Sequence, residues 1–107
     1  MITIATDLDG TIYKGTELID GVKESYKYLI KNNVDIFFIT NNSSQTPYEI
    51  KEKLENLLSL EVDISKIITP LNILESLFVG KTIKIFVYGS SNLKKYVKSI
   101  NQKITNI

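Results

Sequence analysis

Apolar positions fall in two rhythms along this chain. Two short runs, Ile2-Thr3-Ile4-Ala5-Thr6 and Val34-Asp35-Ile36-Phe37-Phe38-Ile39, read as strands. The second is nearly all apolar, as a strand covered on both faces should be. Elsewhere apolar residues recur at three and four positions. Val22, Tyr26, Leu29 and Ile30 share one helical face, and Ile50, Leu54, Leu57 and Leu58 share another. Asp20 is expected to cap the first helix, and Asn32-Asn33 to end it. Thr46-Pro47-Tyr48-Glu49 opens the second with a capping box and a proline in the first turn.

Further on, Ile67-Ile68 reads as a short strand. Thr69-Pro70 then starts a helix over Leu71 to Phe78, which Gly80-Lys81 breaks. Ile83 to Tyr88 is expected as a fourth strand. Ser90 or Ser91 caps a last helix carrying Leu93, Tyr96, Val97 and Ile100, and Lys103 to Ile107 reads as the start of another strand. Alternating strands and helices predict an α/β fold with a parallel, Rossmann-like sheet and flanking helices. A helix between the first two strands makes that pair parallel with a right-handed crossover. No repeat, low-complexity tract or linker interrupts the pattern.

Composition narrows the chemistry. At 107 residues the chain is one small domain at most, with a modest core. A net charge of +1 gives no bulk electrostatic case for nucleic acid or an anionic membrane. No apolar run approaches a membrane span and no signal peptide is visible, so a cytoplasmic protein is expected. Cys and His are both absent. Thiolate nucleophiles, Ser-His pairs and thiolate zinc sites are thereby excluded, and acid–base work falls to carboxylates, Lys or Tyr.

The candidate chemistry sits at the end of the first strand, in Asp7-Leu8-Asp9-Gly10-Thr11. Ligands bind at the carboxyl ends of strands in parallel sheets. An alternating pleat points Asp7 and Asp9 to the same side. Two close carboxylates repel unless something offsets them, and Mg²⁺ prefers oxygen ligands. Carboxylates also act as nucleophiles. Taken alone, Asp-x-Asp-Gly reads equally as an acidic turn, with Gly10 supplying the turn. The strand before it and Thr11 after it favour the functional reading. At the end of the second strand, Thr40-Asn41-Asn42 offers a hydroxyl, two amides and backbone N–H groups for phosphate oxygens. Alone it reads as helix-start capping. Its expected place beside Asp7 favours phosphate binding. Asp20, Lys51, Lys53, Glu52 and Glu55 are given no chemical role, the last four forming a solvated face with a Lys51–Glu55 pair.

Asp7-Leu8-Asp9-Gly10-Thr11 after an apolar strand resembles the first motif of the haloacid dehalogenase superfamily of phosphohydrolases. Phe37-Phe38-Ile39-Thr40-Asn41-Asn42-Ser43-Ser44 resembles the second, in the form of the class IIA branch of 4-nitrophenylphosphatase-like and N-acetylglucosamine-phosphate phosphatase-like enzymes. Ser44-Gln45-Thr46 continues the likeness, which runs through most of the chain to Gly89. The resemblance implies a Mg²⁺-dependent phosphatase acting on a small phosphorylated metabolite. Asp7 would be the nucleophile that becomes phosphoaspartate. Asp9 would protonate the leaving oxygen and then activate water. Mg²⁺ would be held by the Asp7 side chain and the Asp9 backbone carbonyl. Gly10, Thr40, Asn41 and Asn42 would hold the phosphoryl group. By the same resemblance residues 1–70 form the N-terminal half of the core, and residues 71–107 begin an inserted type C2 cap.

Two elements of that family are missing. No lysine stands in the matching context, and no Gly-Asp-x-x-x-Asp-type segment occurs. Lys94, Lys95 and Lys98 read as surface charge. The chain therefore resembles the N-terminal part of a longer phosphatase. A catalytically incompetent fragment, or a phosphate- or metal-binding module, stands as the alternative. A receiver-like domain is a third, weaker reading, since its only later acidic candidate, Asp63, precedes a strand. The Ile2–Thr6 edge is expected to be unpaired and apolar, inviting a homodimer or a complementing C-terminal half.

Overall fold

The computed structural model of the chain describes residues 2–78, 80, 81 and 83–100. The elements are β1 (Thr3–Thr6), β2 (Tyr13–Lys14), β3 (Glu17–Leu18), α1 (Val22–Lys31), β4 (Asp35–Ile39), α2 (Pro47–Leu58), a 3₁₀ turn (Ile64–Lys66), β5 (Ile67–Ile68), α3 (Pro70–Phe78) and α4 (Ser91–Ile100). β1, β4 and β5 form a parallel sheet in that order, with Ile4 opposite Ile36, Thr6 opposite Phe38 and Phe38 opposite Ile67. β2 and β3 form a separate antiparallel hairpin. The fold is the expected α/β arrangement of a parallel sheet with flanking helices.

Local sequence accounts for most of the boundaries. At α2 the Thr46 hydroxyl accepts from the Glu49 N–H and the Glu49 carboxylate accepts from the Thr46 N–H, the reciprocal box that the spacing predicts. At α3 the buried Thr69 hydroxyl accepts from the Leu71 and Asn72 N–H groups. Ser90 accepts from the Leu93 N–H at the head of α4. Asn33, at φ 59°, turns the chain from α1 into β4.

The core lies on one face of the sheet. Leu8, Ile36, Phe38, Ile50, Leu54, Leu58, Val62 and Ile67 are buried together, with Tyr26 of α1 packed on Phe38 at 5.8 Å between ring centroids. Tyr26, Leu29, Leu54 and Leu58 point inward as their spacing predicts.

Three expectations are corrected. β4 is not covered on both faces: Thr3 and Ala5 are exposed and Ile39 is 43% exposed on the side opposite Phe38. That side carries Phe37 under the Lys66 ammonium, 4.5 Å from the ring, with Lys66 also paired to Asp35 at 2.7 Å. An apolar run measures how much of a strand avoids polar side chains, and it cannot report whether a second layer is present. Asp20 does not cap α1. Gly21 stands at the N-cap at φ 85° with no side-chain cap bond, because the turn needs left-handed backbone that an aspartate enters only at a cost. Ile83 to Tyr88 is not a strand. Its burial alternates, with Val87 inside and Phe86 and Tyr88 outside, yet among the described residues only Ile85 carries a bridge. A strand needs a neighbour to take up its N–H and C=O groups, which alternation alone does not supply. The expected strand at Lys103–Ile107 lies outside the described residues.

One carboxylate ties α2 to the approach to β5. Glu55 accepts from Lys51 at 2.9 Å and from the Val62 N–H at 2.9 Å. The Lys51 hydrogen bond, then that of Val62, holds its carboxyl below the usual value of 4.5. A depressed folded value means that the carboxylate stabilises the fold fully above 4.5, and that this contribution is lost as pH falls through the folded value. The urea midpoint of Glu55→Gln is expected below that of the parent at about pH 7, with the gap narrowing as the pH is taken down below 4.5. A gap that does not change with pH contradicts the role of the charge.

Candidate active site

The site is built at the carboxyl ends of β1 and β4. Leu8, 0% exposed, plugs into the core between two exposed aspartates. Its carbonyl accepts from the N–H groups of Thr11 at 3.0 Å, Ile12 at 2.9 Å and Tyr13 at 3.4 Å. Gly10 N–H returns to the Tyr13 carbonyl at 2.8 Å, and Gly10 holds φ 82°. The motif is thus one tight turn hung on a buried leucine, and its central position requires left-handed backbone.

Asp7 opens into a cleft of about 410 Å³ lined by Ala5, Thr6, Asp7, Ile39, Thr40 and Asn41. This brings together three of the expected site residues: Asp7, Thr40 and Asn41. Asp9 is not among the lining residues. It is bridged to Tyr13 instead. β1 ends at Thr6, so the pleat that would keep Asp7 and Asp9 in step stops before either of them. Both carboxylates still lie within electrostatic reach of one group. The Tyr13 phenol is pushed up first by burial, then by Asp9 and then by Asp7.

Thr40, 6% exposed, donates its N–H to the Ile68 carbonyl at 3.1 Å, and its hydroxyl accepts from the Asn42 N–H at 3.1 Å. Asn41 is exposed in the cleft. The Asn42 carboxamide is engaged inside its own loop, with Ser44 and Gln45. Gly10 sits in the turn next to Asp9, outside the cleft lining.

Two residues beside the motif escaped the sequence reading. Tyr13 is 2% exposed, and the Lys53 ammonium of α2 stands 3.8 Å from its ring centroid. Lys53 shares its face with other charges and looked like surface. Nothing in the local pattern announces a ring from a distant hairpin beneath it. Asp63, the acidic residue of the receiver-like reading, caps the 3₁₀ turn before β5 by accepting from Ser65 at 2.9 Å, which leaves it on the wrong side of a strand for a phosphoacceptor.

The donor set suits Mg²⁺ in kind, since Asp7 and Asp9 supply carboxylate oxygens and Mg²⁺ commonly takes one or two carboxylates while keeping waters. It is sparse in number: among the described residues no group of three or more acidic ligands forms. A second groove of about 310 Å³, lined by Ile4, Ile12, Val22, Tyr26, Leu29 and Phe38 among others, lies on the helix side and is largely apolar. Among the described residues no helix is long and apolar enough to cross a membrane.

Comparison with known proteins follows the same lines. Residues 4–103 match the family of haloacid dehalogenase-like hydrolases. An acid sugar phosphatase of Staphylococcus epidermidis is 49% identical over 51 residues, which are 48% of this chain and 20% of that protein. A p-nitrophenyl phosphatase from Archaeoglobus fulgidus superposes with a TM-score of 0.83 at 25% identity, over 96% of this chain and 40% of that one. A glycerol phosphate phosphatase from Mycobacterium tuberculosis, solved with magnesium, superposes with a TM-score of 0.72 over 97% of this chain and 31% of that one. Its 19% identity is a likeness of fold alone. The match to the Staphylococcus enzyme spans about a fifth of that protein's length.

The turn itself is open to test. A Cβ built on Gly10 meets nothing within 4 Å, so the cost of Gly10→Ala is backbone strain rather than a clash. Urea unfolding is expected to show a loss of roughly 1–2 kcal/mol for Gly10→Ala, and less for Gly10→Asn. Equal stability in all three proteins contradicts a left-handed Gly10.

Proposed function

Because this chain belongs to the haloacid dehalogenase-like hydrolase family, we propose that it carries the nucleophile half of a Mg²⁺-dependent phosphatase acting on a small phosphorylated metabolite. One observation supports the reading: β1 and β4 end side by side, and Asp7 and Thr40 line one cleft. A nucleophile and a hydrogen-bond donor to the phosphoryl oxygens must share such a space for phosphoryl transfer, which depends on positioning and charge stabilisation.

In this proposal an Asp7 oxygen attacks phosphorus while the bond to the leaving oxygen breaks. Asp9, entering protonated, gives its proton to that oxygen. Asp9 then takes a proton from water as the water attacks the phosphoaspartate, releasing inorganic phosphate and restoring Asp7. Thr40 and Asn41 hold the phosphoryl oxygens throughout. Bound Mg²⁺ would neutralise phosphoryl charge beside the Asp7 carboxylate. Residues 1–70 would serve as half of the core and residues 71–107 as the start of a cap.

Hydrolysis of 4-nitrophenyl phosphate is the direct check. Turnover that needs Mg²⁺ and falls by about a thousandfold or more in Asp7→Asn is the expected result for a sufficient site. Turnover equal to the Asp7→Asn background supports the second reading, a catalytically incompetent fragment or a phosphate- or metal-binding module.

The partner proposal rests on β1. It is an edge strand among the described residues, and Ile2 at its start is 67% exposed. Such an edge takes a further strand readily. A second copy of the chain, or a complementing C-terminal half, is the proposed donor. Sedimentation velocity is expected to show a mass that rises with concentration, and a single monomeric species at all concentrations contradicts self-pairing.

A further inference from the structure

The loop after β4 holds a set of hydrogen bonds that a phosphate-binding role for Asn42 leaves unused. Asn42 Oδ1 accepts from the Ser44 N–H at 2.8 Å and from the Ser44 hydroxyl at 2.6 Å. Its Nδ2 donates to Gln45 Oε1 at 3.4 Å, and its backbone N–H donates to Thr40 Oγ1 at 3.1 Å. A carboxamide has two acceptor sites and two donor hydrogens. Both acceptor sites and one donor of Asn42 are therefore spent within three residues. The bond from Oδ1 to the N–H two residues on is an Asx-turn, which shapes a loop from within.

The consequence falls on Thr40. A hydroxyl accepts at its lone pairs and donates once. With the Asn42 N–H on its oxygen, the Thr40 hydroxyl keeps its own proton for another partner. The residue is nearly buried, and the cleft it lines also holds Asp7 and Asn41. A phosphoryl oxygen can only accept, so a hydroxyl set as donor is the form such a ligand requires.

We propose that Asn42 is a positioning residue and not a phosphate ligand: its side chain closes the loop through Ser44 and Gln45, and the loop so closed aims the Thr40 hydroxyl into the cleft as a donor. This rests on the reading of the cleft as a phosphate site. It also explains why the Thr-Asn-Asn-Ser-Ser-Gln order suits the place. The two residues that face the cleft come first, and those that hold them follow.

The test uses the whole chain with Asn42→Ala, Asn42→Asp and Thr40→Val. Affinity for inorganic phosphate is measured by titration calorimetry, and loop order by amide hydrogen exchange over residues 41–46. Asn42→Ala is expected to weaken phosphate binding about fivefold or more, since two or more hydrogen bonds go, and to speed exchange in the loop. Asn42→Asp keeps the acceptor for Ser44, and Gln45 can turn its amide to donate. It is expected to bind phosphate within about threefold of the parent and to exchange at the parent rate. A carboxylate in direct contact with phosphate would repel it, so Asn42→Asp binding worse than Asn42→Ala overturns the proposal and makes Asn42 a ligand. Loop exchange unchanged in Asn42→Ala overturns it as well. If the parent binds no phosphate, or Thr40→Val binds as the parent does, the phosphate-site reading fails and the donor role of Thr40 fails with it. The exchange data then report on the loop alone.

Discussion

The parallel pairing of β1 with β4 is the constraint on which the site depends. Parallel neighbours run in the same direction and therefore end at the same side of the sheet. With Thr6 opposite Phe38, the residues that follow each strand emerge together. Asp7 and Thr40 are 33 positions apart in the chain, and no local interaction would hold them together. The register does so, and the packing of α1 and α2 on the Ile36–Phe38 face holds the register. A slip of one residue would turn Phe38 out of the core and Thr40 away from the cleft at once. Stability and site geometry thus share one set of contacts.

Leu8 resolves a local conflict within that frame. Two aspartates one residue apart gain most from facing water, while the chain between them has to be anchored. A fully buried leucine contributes roughly 1.5–3 kcal/mol. At high dielectric two unit charges a few ångströms apart repel by about 1 kcal/mol. The apolar anchor therefore outweighs the repulsion as long as both carboxylates remain exposed, which they do. The three N–H groups gathered on the Leu8 carbonyl spread that anchoring over the turn as far as Tyr13. Tyr13 in turn meets Lys53, which connects the motif to α2 across the hairpin.

What could be read from the sequence was whatever depends on a few neighbouring residues. The box at Thr46–Glu49, the cap at Thr69, the Lys51–Glu55 pair and the end of α1 at Asn32 are bonds spanning four residues or fewer. The adjacency of Asp7 and Thr40 was also legible, because a helix between two apolar strands leaves little choice but parallel pairing. Features that need a third party were not legible. Ile83–Tyr88 alternates like a strand but lacks the ladder. The apolar run of β4 could not say that only one face is covered. Asn42 carries the groups of a phosphate ligand, and only the positions of Ser44 and Gln45 show where they are spent.

The open face of the sheet bears on the chemistry as much as on stability. Parallel sheets are ordinarily covered on both faces. Here Thr3, Ala5 and Ile39 remain exposed opposite the core. Ala5 and Ile39 also line the cleft that contains Asp7 and Thr40, so the bare face and the site form one continuous surface. Any layer that covers this face must reach the rim of the cleft, where it adds walls and groups beside Asp7, Thr40 and Asn41. It also lowers the local dielectric, which strengthens every charge interaction in the cleft. Covering the sheet and enclosing the cleft are therefore a single event. The same exposure that leaves Ala5 and Ile39 in water keeps the Asp7 carboxylate in a high dielectric.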